Sequence, residues 1–244
     1  MITSKDNDLV KLCSKIKQKK HSREEGLCLV ESIKLISQLY LKGKLTHILV
    51  VEDKYDLVKN YKKCNIITIS KVIAEYLSDA VTTDGVFGIC KITGNSNDDY
   101  SRCLVLDRLQ DPSNLGAIIR SAYAFGYKTV FAIDSVYPYS YKSIRSSMGY
   151  VFDINYIDCD INKLIKYKEK HNISLVIADM SGELIDDYTP SNDNIAVVIG
   201  NEGQGVSREI MNLADNTVRI PMYNDVESLN ASVSAGIIMY ELKK

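Results

Sequence analysis

The sequence predicts an α/β protein built as two domains, and three observations carry that prediction. Short apolar runs alternate with helix-period stretches along the whole chain. Runs such as IAVVI at 195–199 are apolar at every position, as strands buried on both faces of a mainly parallel sheet are. A polar stretch rich in turn formers, TGNSNDDY at 93–100, separates a small α/β leading domain of residues 1–95 from a larger domain of residues 100–244.

In the leading domain the pattern gives helix 7–20, strand 26–30, helix 31–42, strand 46–51, helix 54–62, strand 65–69, helix 71–78 and strand 86–92. Beyond the boundary come strand 102–106, helix 114–125, strand 129–133, a short helix at 140–147, strand 151–157 and helix 160–171. Strands 173–178 and 195–199, helix 206–214, strand 217–221 and a last helix from about 228 complete the order. There is no internal repeat.

Of 244 residues, 45% are hydrophobic and 25% charged, which excludes wholesale disorder. No apolar run reaches the roughly 18–20 residues of a membrane span. The opening MITSKDNDLVK lacks a signal peptide's apolar stretch, so a cytoplasmic location is expected. The six cysteines form no CxxC pair, and no His/Cys/carboxylate cluster has metal-ligand spacing; reduced, buried thiols and no metal are expected. The net charge of −1 conceals an asymmetry: residues 1–98 carry +4 and the rest −5. Lys11, Lys15, Lys17, Lys19, Lys20 and Arg23 crowd one stretch, which by itself reads as a solvated helix face before it reads as a phosphate-neutralising patch.

Three segments of the second domain follow predicted strands, where ligands of parallel sheets collect. In residues 107–122, Asn114 is expected to cap a helix, Gly116 to admit a ligand close to the backbone, and Arg120 to lie further along. Residues 200–205 (GNEGQG) form a glycine-rich strand–helix loop. It is not a P-loop, because Val206 stands where Lys is needed, and not a dinucleotide loop, because Arg208 stands where Gly is needed. Glu202 within it would repel phosphate. In residues 220–235, Pro221 ends a strand, Ser228 is placed to cap the last helix, and Val233, Ile237 and Tyr240 are expected in the core. Read singly, the first and third segments are explained as well by capping and tight packing as by ligand binding, whereas the glycine-rich loop favours a ligand over a plain tight connection.

Taken in order, NLGAIIRSA at 114–122, IGNEGQG at 199–205 and IPM…ESLNAS at 220–232 resemble the three motifs of the SpoU/TrmH family, RNA ribose 2′-O-methyltransferases of the SPOUT superfamily. The likeness covers residues 102–244, and a weaker one, KKHSREEGLCLVESI at 19–33, resembles the substrate-binding domain that precedes catalysis in many members. The resemblance implies a C-terminal trefoil knot, S-adenosylmethionine as cofactor, a homodimer with the site at the subunit interface, and RNA, most plausibly ribosomal, as substrate. It implies that Gly200, Asn201, Glu202, Ile220, Met222 and Leu229 hold the cofactor. Arg120 matches the catalytic arginine, with Asn114, Glu202, Ser228 and Asn230 orienting it and the substrate. Lys17, Lys19, Lys20 and Arg23 would grip RNA. Asn224, Ala231 and Ser234 depart from the common Gly, Val and Ala, which bears on cofactor affinity. The alternatives are a transfer-RNA methyltransferase, a non-catalytic RNA-binding protein on the same fold, and a small-molecule nucleotide enzyme.

Overall fold

The computed structural model describes residues 1–93, 99–224 and 226–243. Most of the boundary expected at 93–100 lies outside the described residues. By internal contact the chain falls into two units, one of Met1–Thr93 with Tyr139–Arg145 and the other of Gly94–Pro138 with Ser146–Lys244.

The first unit is a mixed four-stranded sheet. Its strands are β1 (Leu27–Glu31), β2 (Leu45–Val51), β3 (Asn65–Ile69) and β4 (Val86–Lys91), in the order β1-β4-β2-β3. β4 runs antiparallel to both neighbours, and β2 and β3 are parallel. Helices α1 (Asp8–Lys15), α2 (Lys19–Glu25), α3 (Ile33–Leu41) and α4 (Lys71–Leu77) flank it. Val10, Cys13, Leu49, Ile73, Leu77 and Phe87 share one buried core cluster.

The continuous helix expected over 7–20 is instead two. α1 is capped by Asn7, whose side chain accepts from Leu9 N, and α2 ends on Gly26 in the left-handed region at φ +62°. Tertiary contacts override helical propensity at the break: Ile16 is buried, and Lys17 Nζ donates to the Leu77 carbonyl and pairs with Asp79 at 2.7 Å. The helix expected at 54–62 is a 3-10 turn at Glu52–Leu57.

The second unit carries six strands: β5 (Arg102–Asp107), β6 (Thr129–Ile133), β7 (Asn155–Asp158), β8 (Ser174–Leu184), β9 (Ile195–Ile199) and β10 (Asn216–Arg219). Their order is β10-β8-β9-β5-β6-β7, and every pairing is parallel. Helices α5 (Pro112–Ala124), α6 (Tyr141–Ser146, most of it grouped with the first unit), α7 (Ile161–Lys170), α8 (Arg208–Met211) and α9 (Ala231–Glu241) complete the chain. The strands of β5 and β9 are buried almost throughout, as the apolar runs require. From β5 the chain winds outward through β6 and β7, then crosses to the other side for β8, β9 and β10. The order therefore reverses between β5 and β9, the kind of position at whose carboxyl ends ligands of open parallel sheets collect.

Three local expectations need correction. The cap of α5 is Asp111, not Asn114: its carboxylate accepts from Ser113 N, and Pro112 takes the first helical position. The cap of α9 is Asn230, not Ser228, with its side chain accepting from Ser232 N. Val233 and Tyr240 are not core; each is about half exposed, at 49% and 48%.

β8 also runs beyond the predicted strand 173–178, but irregularly. Val176 and Ile177 pair with Asn216 and Thr217, while the next pairs are Glu183–Val218 and Leu184–Arg219. Residues 178–182 are thus looped out of the ladder. Gly182 closes that bulge: a Cβ there would stand 2.6 Å from the Thr217 carbonyl and Val218 nitrogen, so no larger residue fits.

Candidate active site at the sheet's carboxyl edge

The three segments meet at this edge, and hydrogen bonds join them. Glu202, from the loop after β9, accepts from Asn114 Nδ2 on α5 at 3.1 Å. Asn114 Oδ1 in turn accepts from Asn230 Nδ2 at the start of α9, at 3.0 Å. Asn230 Oδ1 is used locally, accepting from Ser232 N and Oγ. With both faces of its amide assigned, Asn114 has one orientation, which fixes Asn230 and Glu202 against it. Asn114 is buried, so these bonds are shielded from water.

Glu202 also accepts from the main-chain N–H groups of Asp111 at 3.1 Å and Gln110 at 3.2 Å. Desolvation raises its carboxyl, but the bonds from Asn114 and the backbone outweigh that, and its pKa lies below the usual value of 4.5. The backbone donors ahead of α5 are thus filled by a carboxylate of the chain itself, which leaves no phosphate cradle there. The sign follows directly. The stability this carboxylate contributes is complete above its unfolded value near 4.5, and it is lost as pH falls through the lower folded value. Glu202→Gln is expected to flatten the acid limb of a melting-temperature-against-pH curve below pH 4.5; an unchanged limb would show that the bonds do not favour the ionised form.

The glycine loop is closed upon itself. Asn201 and Gly205 exchange main-chain hydrogen bonds at 2.9 Å each way. Asn201 Oδ1 accepts from Gly203 N and Gln204 N, and its Nδ2 donates to the Arg108 carbonyl at 2.9 Å. A Cβ on Gly200 would lie 2.3 Å from Gly205 C and 2.4 Å from Val206 N, so Gly200 serves the loop's own closure.

Beside this network lies a cleft of about 440 Å³ including its open mouth, lined by the bulge of β8, the end of β10 and the approach to α9. Ala178, Val218, Ile220, Met222, Leu229 and Ile238 supply apolar surface, and Asp179, Arg219, Ser228 and Ser234 supply polar groups. Asp179 Oδ1 is held by Ser181 N and Oγ at 2.9 and 2.6 Å. An apolar slot with a carboxylate, a guanidinium and two hydroxyls suits a ring-bearing, zwitterionic ligand of drug size. It does not suit a polyphosphate. The chemistry of this donor set therefore fits S-adenosylmethionine, whose adenine is apolar on its faces and whose remainder bears hydroxyls, an ammonium and a carboxylate.

The structure divides the expected residues. Ile220, Met222, Leu229 and Ser228 line the cleft. Gly200, Asn201 and Glu202 do not line it; they form and brace the adjoining loop. Asn114, Glu202 and Asn230 are linked in one chain, and Gly116 is buried within α5. Arg120 is exposed on α5 and has no hydrogen-bond or ion-pair partner among the described residues. In the first unit Lys19, Lys20 and Arg23 are exposed, whereas Lys17 is tied to Leu77 and Asp79. Sequence reasoning missed the bulge residues 178–180, because nothing in their spacing marks a strand that loops out and resumes. It also missed Asp107 and Arg108, whose clue was a charged pair ending an apolar strand. Among the described residues no group of three or more His, Cys, Asp or Glu could hold a metal ion.

Comparison with known proteins follows the same lines. Residues 101–240 match the SpoU rRNA methylase family, and residues 7–88 match the MRM3-like substrate binding domain. The 23S rRNA (guanosine(2553)-2′-O)-methyltransferase RlmP of Bacillus subtilis is 24% identical over 99% of this chain and 98% of its own length. A crystal structure described as an RNA 2′-O ribose methyltransferase is 26% identical, with a TM-score of 0.81 over 98% of this chain and 96% of that one. The AdoMet-bound rRNA methyltransferase of Sinorhizobium meliloti, at 24% identity, shares the fold with a TM-score of 0.87 over 98% of this chain and 95% of that one. With the match spanning residues 101–240 and all three joined segments inside it, the chain belongs to the SpoU rRNA methylase family.

Proposed function

We propose that this protein transfers the methyl group of S-adenosylmethionine to a ribose 2′-hydroxyl of ribosomal RNA. The observation that carries the reading is the Glu202–Asn114–Asn230 chain, which ties the three motif segments together beside a cleft fitted to the donor. The family to which the chain belongs and the rRNA specificity of the B. subtilis relative support ribosomal over transfer RNA.

Bound in the cleft, the donor would supply an electrophilic methyl group to a ribose oxygen, with the carbon–sulfur bond breaking towards sulfur so that a neutral thioether is the leaving group. The chain must align that hydroxyl and favour the loss of its proton. Arg120 acts by charge, holding a phosphate of the nucleotide and stabilising the oxygen as the proton leaves. Asn114, locked between Glu202 and Asn230, holds the three segments in place beside the cleft. Ser228, lining the cleft, orients the donor.

The reading extends to partners. α9 does not confine its apolar residues to one face; one face packs on α5, where Gly236 lies against Ser121, and the other exposes Val233 and Tyr240. A second copy of the chain covers that face, giving a homodimer. The C-terminal segment threads a loop as a trefoil knot, an inference that rests on family resemblance. Residues 1–95 bind RNA through Lys19, Lys20 and Arg23, residues 100–244 carry the chemistry, and the protein works in the cytoplasm, where its substrate is assembled. The match of residues 7–88 to a substrate-binding domain supports that division. Lys17 is left out because its partners hold it in the fold. Lys19→Glu with Lys20→Glu is expected to weaken RNA binding and flatten its salt dependence; unchanged filter-binding affinity across a salt series would remove the patch from the interface.

Tritium transfer from labelled donor to unmethylated ribosomal RNA tests the whole reading. Label recovered in RNA supports it. Donor uptake by calorimetry without transfer to any RNA would leave a binding protein on this fold.

A further inference from the structure

Arg108 directly follows β5 with a left-handed backbone, φ +57°, a conformation that residues with a side chain seldom adopt. The surroundings hold it there. Its N–H donates to the Ile133 carbonyl at 2.8 Å, and its carbonyl accepts from Asn201 Nδ2 and from Gln110 Nε2. The side chain is fixed as firmly. Nε donates to Asp107 Oδ1 at 3.2 Å, and one terminal nitrogen donates to Gln204 Oε1 at 3.3 Å. Asp107 is buried, at 1% exposure, and also accepts from Ser207 N, so its position is set by the fold.

Two of the five guanidinium N–H groups are thereby used, and the side chain is one-third exposed. A guanidinium already oriented by a buried carboxylate and a loop amide binds a further anion at little entropic cost. It stands at the carboxyl end of β5, bonded to the loop that carries Glu202. Its other acidic neighbours are occupied: Glu202 by Asn114 and the backbone, Asp111 by the cap of α5. Two anions come near this site in the reaction, a phosphodiester of RNA and the carboxylate of the donor. Arg108 is not among the residues lining the donor cleft, which favours the first.

We propose that Arg108 is a substrate-binding residue that grips an RNA phosphodiester adjoining the target ribose, with Asp107 and Gln204 as its supports. The inference rests on the methyltransferase reading above. The test uses the full chain and an in-vitro transcribed large-subunit ribosomal RNA. Arg108→Gln and Arg108→Gly remove the charge, the glycine also suits the left-handed backbone, and a melting curve of each identifies the variant that is folded. Arg108→Lys keeps the charge.

Both neutral variants are expected to weaken RNA binding about tenfold, and to lower the slope of log K against log salt by about 0.7–0.9, one phosphate contact. The lysine variant is expected to recover the slope, and donor affinity by calorimetry should stay within about twofold in all three. An RNA affinity and slope equal to wild type in a folded neutral variant would overturn the proposal. So would a loss of donor affinity, which would assign Arg108 to the loop or the donor instead. If wild-type protein neither takes up donor nor methylates RNA, the underlying reading fails; if it does both and the variants match it, only the Arg108 assignment fails.

Discussion

Replacing Arg120 by alanine is expected to lower single-turnover methylation by about 10²-fold or more, the scale of a positioned group acting on the reacting atoms. Donor affinity should be unchanged, since Arg120 does not line the cleft. Stability should be nearly unchanged too, because the side chain is exposed and partnerless among the described residues, and such truncations usually shift stability by no more than about 0.5 kcal/mol. The combination matters. A structural residue would lose stability along with activity, and a donor-binding residue would lose affinity. Full activity of Arg120→Ala in single turnover would remove it from the site.

Gly200→Ala is expected to disable the enzyme by a different route. The added methyl would meet Gly205 C and O and Val206 N at 2.3–2.6 Å, all of them main-chain atoms closed by the Asn201–Gly205 bridge. Backbone cannot step aside as a flexible side chain can, so the loop must open. Overpacking of this kind costs about 1–3 kcal/mol, which in a chain of this size lowers Tm by several degrees. Opening also withdraws Glu202 from Asn114, so methylation should fall in parallel. Gly203→Ala is the control within the same loop. Its methyl would meet only Asn201 Oδ1, at an ordinary 3.7 Å, and near-normal melting and activity are expected. Equal behaviour of the two variants would contradict the self-closed loop.

How far the sequence could be read depended on what kind of signal each feature leaves. Strands such as Ile195–Ile199 stand out because burial on both faces demands unbroken apolarity. The helix expected at 7–20 broke because Ile16 and Lys17 answer to partners elsewhere in the unit, the latter about sixty positions away, which no local pattern encodes. The caps were a matter of competing letters. Asp111-Pro112 and Asn230 each stood within two or three residues of the polar residue chosen, and a proline at the first helical position could have decided the first.

The site was legible as an ordered set of motifs, because its three segments keep their residue types. Of the residues expected to hold the donor, Ile220, Met222 and Leu229 line the cleft and Gly200 and Asn201 shape the adjoining loop, while Asp179 and Met180 reach the cleft from a bulge that periodicity cannot announce. Arg108 was invisible for a similar reason. Its importance lies in a backbone angle and a buried partner, and neither is written in composition.

Nucleoside mass spectrometry of ribosomal RNA after reaction with donor tests the central claim most directly, since it reports which atom receives the methyl. The predicted result is one 2′-O-methylated nucleoside, formed by wild type and nearly absent with Arg120→Ala. A methyl group found on a base, or equal product from the two proteins, would contradict a site built to activate a ribose hydroxyl beside Arg120.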